Sequence, residues 1–410
     1  METTTTPRRE REPRDGVPDP ITTTAQLETY CKLLADGYGP VALDAERASG
    51  FRYSQRAYLI QIRREGAGTA LIDPVTIDDF SSLIQAIADV PWILHAASQD
   101  LPCLNELGLY PTALFDTELA GRLLGRERVS LGALVESELG EILEKGHGAT
   151  DWSLRPLTKA QLRYAALDVE LLVELMEVLQ AELDTAGKTQ WAQQEFNALL
   201  TFKPKDRGEE PWRRTSGIHK LRKGQQLAVV RALWNARDLT AQREDIAPGR
   251  ILPDAAIVAA ATELPPTSDE LGKLPAFSGR GQTRRRAQWW SAISEALASN
   301  PDTWPISNPP TDTLPPPRTW VNKNPEASVR LEAVREGLRE LSERVLVPVE
   351  NLLTPDLARR LCWEPPTDIT RETIIDFLTT HGARPWQIEL TTPIFAVGLL
   401  TTTEFESADS

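Results

Sequence analysis

Residues 162–172 read LRYAALDVELL, and their spacing decides how the rest of the chain is read. Leu162, Ala165, Ala166, Val169 and Leu172 recur at helical intervals, which predicts a helix packed along one side. Tyr164 and Asp168 are four apart on that helix and share a face. Taken singly, the pair reads as an interfacial tyrosine beside an exposed acid. Far upstream, GPVALDAE (39–46) reads as a short buried strand ending in two acids. Asp44 and Glu46 leave the same face of such a strand. Two carboxylates beside Val41, Ala42 and Leu43 are costly unless paired or bound to a cation, although a D-x-E at a strand end is also what a solvated edge looks like. Asp100 follows WILHAASQ (92–99) and opens a helix, a place where aspartate also serves as a plain N-cap.

The surroundings predict an α/β sheet of mixed direction. ITTTAQLETYCKLLADG (21–37) reads as a helix. GPVALDAE, AYLIQIRR (57–64) and TALIDP (69–74) then resemble a β-meander. Residues 79–90 are helical, and WILHAA (92–97) and ALFDT (113–117) are two further strands. From Glu118 to about Ala186 the pattern is helical, apart from a loop at KGHGATDW (145–152). Strands first and helices interleaved later suit a sheet with helical cover.

Beyond this region the composition breaks twice. TFKPKDRGEEPWRRT (201–215) is polar, and residues 301–317 contain seven prolines. The expected organisation is therefore a disordered tail (1–20), an α/β domain (21–200), a linker (201–215), a helical bundle (216–298), a proline-rich linker (299–324) and a second helical unit (325–400). ARDLTAQREDIAPGRILPDAAIVAAA (236–261) and LRELSERVLVPVENLLTPDLARRL (338–361) share an order of features: a helix end, an apolar residue before proline, and an Asp opening a new helix. This suggests an internal duplication, against the plainer reading that small bundles share capped helix starts.

Bulk properties bound the function. A net charge of −14 argues against indiscriminate coating of nucleic acid. The charge is uneven, however: between Lys203 and Arg231 nine Lys or Arg face three Asp or Glu, and Arg280, Arg284, Arg285 and Arg286 form a second basic cluster. No apolar run approaches the ~18 residues of a membrane span, and METTTTPRREREPRDG lacks the hydrophobic stretch of a secretory signal. Cys31, Cys103 and Cys362 lie far apart without metal-ligand spacing, which suits a reducing cytoplasm and supports neither disulfides nor a zinc site.

Three ordered motifs, ILHAASQDLPCL (93–104), ALFDTELAGRLLG (113–125) and DWSLRPLTKAQLRYAALDVELLVEL (151–175), together with the D-x-E strand, resemble the ribonuclease D family of 3′→5′ exonucleases over about residues 20–195. The resemblance implies an RNase H-like mixed sheet flanked by helices. It assigns metal binding to Asp44, Glu46, Asp100 and Asp168, and to Tyr164 the holding of the attacking water. Arg163 stands where a sister branch carries histidine, which places the chain in the tyrosine branch. Gln99 departs mildly from the pattern, since an acid often precedes the metal-binding Asp. Residues 212–261 resemble an HRDC domain, a small helical module, so the expected fold is α/β plus one or two HRDC-like bundles. Lys220, Arg222, Lys223 and Arg231 would there meet phosphates.

The implied activity is hydrolysis of RNA from a free 3′ end, single-stranded tails and tRNA precursors included. It would release nucleoside 5′-monophosphates with two Mg²⁺ or Mn²⁺ ions, without a membrane or an obligate protein partner. A 3′→5′ DNA exonuclease and a catalytically silent nucleic-acid-binding protein are the alternatives. Hard oxygen ligands suit these ions. Four acids repel one another without metal, and a phenol with a pKa near 10 is a poor base, so Tyr164 is expected to orient water. Among lesser candidates, His95 reads as structural, His147 as loop or substrate contact, Arg155 as loop packing or phosphate contact, and Asp116 as a cap rather than a fifth ligand.

Overall fold

A computed structural model of the chain describes residues 8–9, 12–143, 146, 148, 150–307 and 314–401. His147 lies outside the described residues. Along the chain, β1 (Arg8–Arg9) precedes α1 (Thr24–Asp36), β2 (Tyr38–Arg47), β3 (Ala57–Glu65) and β4 (Gly68–Ile72). Then come α2 (Ser81–Ile87), β5 (Trp92–Leu94), α3 (Leu101–Asn105), β6 (Leu114–Asp116), α4 (Thr117–Leu123), α5 (Leu131–Leu134) and β7 (Glu141–Ile142). Helices α6 (Lys159–Glu170), α7 (Leu172–Thr185) and α8 (Thr189–Leu199) complete this unit. The five-stranded sheet runs β4-β3-β2-β5-β6, with β2, β3 and β4 antiparallel and β5 and β6 parallel to β2. It is the mixed sheet flanked by helices that an RNase H-like domain requires.

Alternation along the central strand sorts its two faces. Val41, Leu43 and Ala45 join Leu27 and Leu34 of α1 and Leu83 and Ile87 of α2 in the main core. Ala42, Asp44 and Glu46 face the other way, toward α6 and α7, where Ala42 packs with Val169 and Leu172. Burial on both faces explains why these strands read as continuous apolar runs. The short parallel pair of β1 with β7 had no such pattern to announce it.

Residues 12–20, within the stretch expected as a tail, are mostly exposed but touch the α/β domain at a few points. Pro13 is buried, the Arg14 amide donates to Glu170 Oε1 at 3.3 Å, and Arg63 pairs with Asp15 at 2.6 Å. These charges are complementary to Arg63 of β3 and Glu170 of α6, which a composition reading cannot see.

The helical units follow. The first comprises α9 (Gly224–Glu244), α10 (Pro248–Ile251), α11 (Asp254–Glu263), α12 (Ser268–Lys273) and α13 (Arg280–Ala298). The second comprises α14 (Trp320–Lys323), α15 (Pro325–Val345), α16 (Val349–Leu352), α17 (Pro355–Trp363), α18 (Arg371–Thr380) and α19 (Pro385–Gly398). Trp212 and Trp320, both placed in linkers by composition, belong to the two helical cores. Each indole outweighs the polar and proline-rich residues around it. In both units a 21-residue helix ends on a left-handed residue, Asp245 (φ 47°) or Leu346 (φ 52°). An X-Pro step and a single helical turn follow, in the same order.

Both units dock on the α/β domain through that same element. Asp245 accepts from the Ser54 amide at 2.9 Å and the Tyr58 hydroxyl at 3.3 Å, and the Ala247 amide donates to Phe51 O at 2.9 Å. Arg250 donates to Gly50 O at 2.7 Å and lies over the Phe51 ring. In the second unit, Lys188 Nζ donates to Leu123 O and Leu346 O. Gly125, at φ 75°, leaves room for Leu346, whose carbonyl oxygen would stand 2.7 Å from an added Cβ. Trp386 stacks on Trp191 at 5.0 Å and donates to Glu195 Oε1 at 2.9 Å, joining the main core itself. Trp386→Ala should therefore cost about 3–5 kcal/mol in chemical denaturation. It should also open the seam between α8 and α19 to limited proteolysis; unchanged stability and digestion would refute this account of the docking.

Candidate active site

Three elements bring the four acids together. Asp44 and Glu46 come from the central strand, Asp100 from the turn between β5 and α3, and Asp168 from α6. One oxygen each of Asp44, Glu46 and Asp168 lie within 4.8 Å of one another. Asp100, 5% exposed, joins the three through a hydrogen bond with Asp44. Although Asp100 occupies the N-cap position of α3, its side chain makes no capping bond, so the simple cap reading fails. All four line a cavity of about 540 Å³, together with Tyr164 and His95.

The turn that delivers Asp100 is held by Asp116. Ala96 there adopts the left-handed conformation (φ 58°), which costs an alanine on the order of 1 kcal/mol. The buried Asp116 carboxylate accepts from the amides of Ala96 and Ala97 at 3.2 and 2.8 Å, and from Glu118 and Leu119 at 2.9 and 3.1 Å. Asp116 thus caps α4 and clamps the neighbouring turn, with its acid groups spent on backbone. Burial nonetheless pushes its pKa up to about 6.

Helix α6 is seated by the loop before it. Thr158 caps it, accepting from the Gln161 amide at 3.2 Å, while Gln161 Oε1 accepts from the Thr158 amide at 3.0 Å. Trp152 is wholly buried with Leu162, Ala165 and Ala166 against Leu59 and Leu71 of the sheet. Arg155 grips Asp73 with two nitrogens and donates to the carbonyls of Tyr58, Trp152 and Leu154. Of the two readings for Arg155, loop packing is the one its contacts support. Arg163, in turn, faces Glu12 at 3.7 Å, away from the cavity lining.

Electrostatics in the cleft are dominated by burial and like charge. Burial lifts the pKa of Glu46 to about 10, and Asp44, Asp168 and Asp100 add to it. Asp44, Asp100 and Asp168 are raised by burial too, and the Asp44 charge raises Asp100 and Asp168 further. Arg47, which also lines the cavity, pulls Asp44, Glu46 and Asp100 back down only in part, and among the described residues none of the four acids forms an ion pair. Tyr164 is hydrogen-bonded to Asp168, and its phenol is raised by burial and by the neighbouring carboxylates. Burial lowers His95 to about 4, so it is neutral, with Nδ1 2.8 Å from Thr117 Oγ1. It lines the cavity while serving the strand end.

The basic residues proposed from sequence lie elsewhere. Lys220, Arg222 and Lys223 are exposed at the start of α9, and Arg231 donates to Thr303 O at 3.3 Å; none lines the cavity. Cavity-lining residues that the sequence reading passed over include Ser49, Glu118, Ser130 and Leu131. Ser49 lies just beyond the D-x-E strand and Glu118 just beyond Asp116 without a telling spacing of their own, while Ser130 and Leu131 reach the cleft from the start of α5.

Comparison with known proteins places this geometry. Residues 18–184 match the 3′-5′ exonuclease family, residues 226–293 the HRDC domain, and residues 313–399 the 3′ to 5′ exonuclease C-terminal domain. Ribonuclease D of Nitrobacter hamburgensis is 31% identical over 358 residues, covering 86% of this chain and 90% of that protein. Ribonuclease D of Escherichia coli K12 is 29% identical, over 81% of this chain and 86% of that protein. A crystal structure of a protein from Bifidobacterium adolescentis superposes with a TM-score of 0.88 at 38% identity, over 96% of this chain and 99% of the other. The fold is also that of E. coli RNase D, described as an exoribonuclease involved in structured RNA processing (TM-score 0.68, 24% identity, over 93% and 98% of the two chains). From the exonuclease cleft through both helical units, the chain belongs to the ribonuclease D family.

Proposed function

We propose that this protein is a 3′→5′ exoribonuclease that shortens RNA from a free 3′ end and releases nucleoside 5′-monophosphates. In this reading Asp44, Glu46, Asp100 and Asp168 hold divalent cations. The observation that carries it is the largely buried cluster of four carboxylates, whose repulsion Arg47 offsets only in part. So much like charge in a low-dielectric cleft is unfavourable unless it is protonated or neutralised by bound cations. An all-oxygen donor set fits Mg²⁺ or Mn²⁺ rather than zinc. Two such ions, when bound, would supply an activated water and stabilise the leaving 3′-oxygen.

The chain's own residues do the positioning. Tyr164 keeps its phenolic proton, so it orients water and does not act as a base. His95, neutral and engaged with Thr117, shapes the wall. A cavity of about 540 Å³ is within the range of clefts that hold one small ligand, which suits a terminal nucleotide. The relatives named ribonuclease D favour RNA over DNA, and the family resemblance favours tRNA and other stable RNA precursors. Lys220, Arg222, Lys223 and Arg231 would hold the RNA body through phosphates, a contact that weakens as salt rises. Three buried, free cysteines support a reducing cytoplasm as the setting.

The direct test uses 5′-labelled single-stranded RNA and DNA of one sequence with Mg²⁺, Mn²⁺ or EDTA. Metal-dependent shortening from the 3′ end should favour RNA. Asp44→Ala should reduce it by at least about 100-fold, and Tyr164→Phe by a smaller factor. Equal rates on DNA would move the assignment to the DNA alternative, and intact RNA binding without cleavage would leave a binding protein. A second expectation concerns pH. The cleft carboxyls bind protons in the folded state to a higher pH than in the unfolded chain, where they ionise near 4. Stability without metal should therefore fall as pH rises, by up to about 1.4 kcal/mol per pH unit for each group still protonated only in the fold. Thermal melts in EDTA should drop between about pH 6 and about pH 9, and Mn²⁺ should raise the melting temperature most at the upper end. A metal-induced shift that is flat across this range would contradict the assignment.

A further inference from the structure

Gln61 stands on β3 directly across from Asp44 of β2, with Leu71 of β4 on its other side. Opposed residues on antiparallel strands project from the same face, with Cβ atoms about 4.5–5.5 Å apart. That face lies under α6, where Leu59 and Leu71 pack on Ala165 and Ala166. Gln61 is fully buried, at 0% exposure, and among the described residues neither its Nε2 nor its Oε1 has a hydrogen-bond partner. Its nearest same-face neighbours along and across the sheet are Leu59, Leu71, Asp44 and Arg63, and Arg63 is engaged with Asp15, Thr69 and Glu170. A leucine would fill this place without leaving a polar group unmet. Buried amides are nearly always satisfied, so an orphan in this position calls for a partner that the resting arrangement does not provide.

A carboxylate that ligates a metal offers one oxygen to the ion and has a second that is oriented by a neighbouring donor. Asp44 is the acid shared by the cluster: it lies with Glu46 and Asp168 and also bonds Asp100. Of all the described side chains, Gln61 is its cross-strand neighbour. We propose that Gln61 is a positioning residue for the metal site, donating from Nε2 to the Asp44 carboxylate and fixing the orientation in which Asp44 meets the cation. This rests on the metal-binding reading of the four acids. Gln61 touches neither RNA nor the reacting atoms and acts only through Asp44.

The position predicts opposite effects on fold and on metal. In Gln61→Leu the orphan amide is replaced by hydrocarbon of similar size, so the metal-free full-length chain should melt at or above the wild-type temperature. Its Mn²⁺ affinity, measured by isothermal titration without RNA, should fall about 10- to 100-fold. RNA shortening should fall at limiting Mn²⁺ and recover at saturating Mn²⁺. Gln61→Met, which is also unbranched but cannot donate, should behave alike and guards against a packing fault specific to leucine. Mn²⁺ affinity equal to wild type in either folded variant would overturn the inference while leaving the metal site standing. Wild-type protein that binds no Mn²⁺, like Asp44→Ala, would remove the metal reading and this inference together.

Discussion

Four carboxyl groups packed into one cleft repel one another, and burial in the protein makes each charge more expensive still. Glu46 and Asp100 are at most 9% exposed, and the Arg47 charge offsets only part of their repulsion. Nothing in the acids themselves favours this arrangement, so other parts of the molecule must impose it. The central strand carries two of them because its opposite face is locked into the main core by Val41, Leu43 and Ala45. The third is delivered by a left-handed turn that Asp116 clamps through four amides. The fourth rides on a helix seated by Trp152 and by Arg155, neither of which touches the cleft. The fold is a frame that holds unfavourable charge in place, and the energy for this comes from apolar packing elsewhere.

That division governs what could be read from the sequence. The five sheet strands were legible because burial on both faces leaves dense apolar runs, and α6 because its apolar spacing is regular over three turns. The acids were ambiguous one at a time. Asp100 could as well have been a cap, and only the order of motifs along the chain singled out the set. What stayed hidden depends on register and long-range pairing. Gln61 sits in AYLIQIRR as an unremarked polar residue in an apolar run, and its place beside Asp44 follows only once β2 and β3 are aligned. Arg155 left two readings open because Asp73 lies 82 residues away. The buried Trp212 and Trp320 contradicted composition for a related reason: one specific contact outweighs a polar or proline-rich average.

The two helical units raise a separate point. Each ends a 21-residue helix on a left-handed residue, turns at an X-Pro step and places a single helical turn before the next helix. The shared order first seen at 236–261 and 338–361 is a shared backbone path. More telling, each unit uses this element to meet the α/β domain, though the partners differ: the Phe51–Tyr58 segment in one case and Lys188 with Gly125 in the other. The same shape is held by polar bonds to a loop on one side and by close approach of backbone on the other, with Trp386 adding an apolar anchor.

The segment from Gly50 to Tyr58 serves two masters. At its start it leaves the strand that carries Asp44 and Glu46, and along its length Gly50, Phe51, Ser54 and Tyr58 are bonded to the first helical unit. Surface loops ordinarily absorb insertions and deletions at small cost. Here a change of even one residue would have to be accommodated either by the acid-bearing strand or by the docked helix, since both ends are spoken for. Natural variation in loop length should consequently be scarce at this connection and common at connections that meet nothing. In evolutionary terms, the nuclease domain and its appended module share a hereditary constraint: neither can drift at this seam unless the other drifts in step.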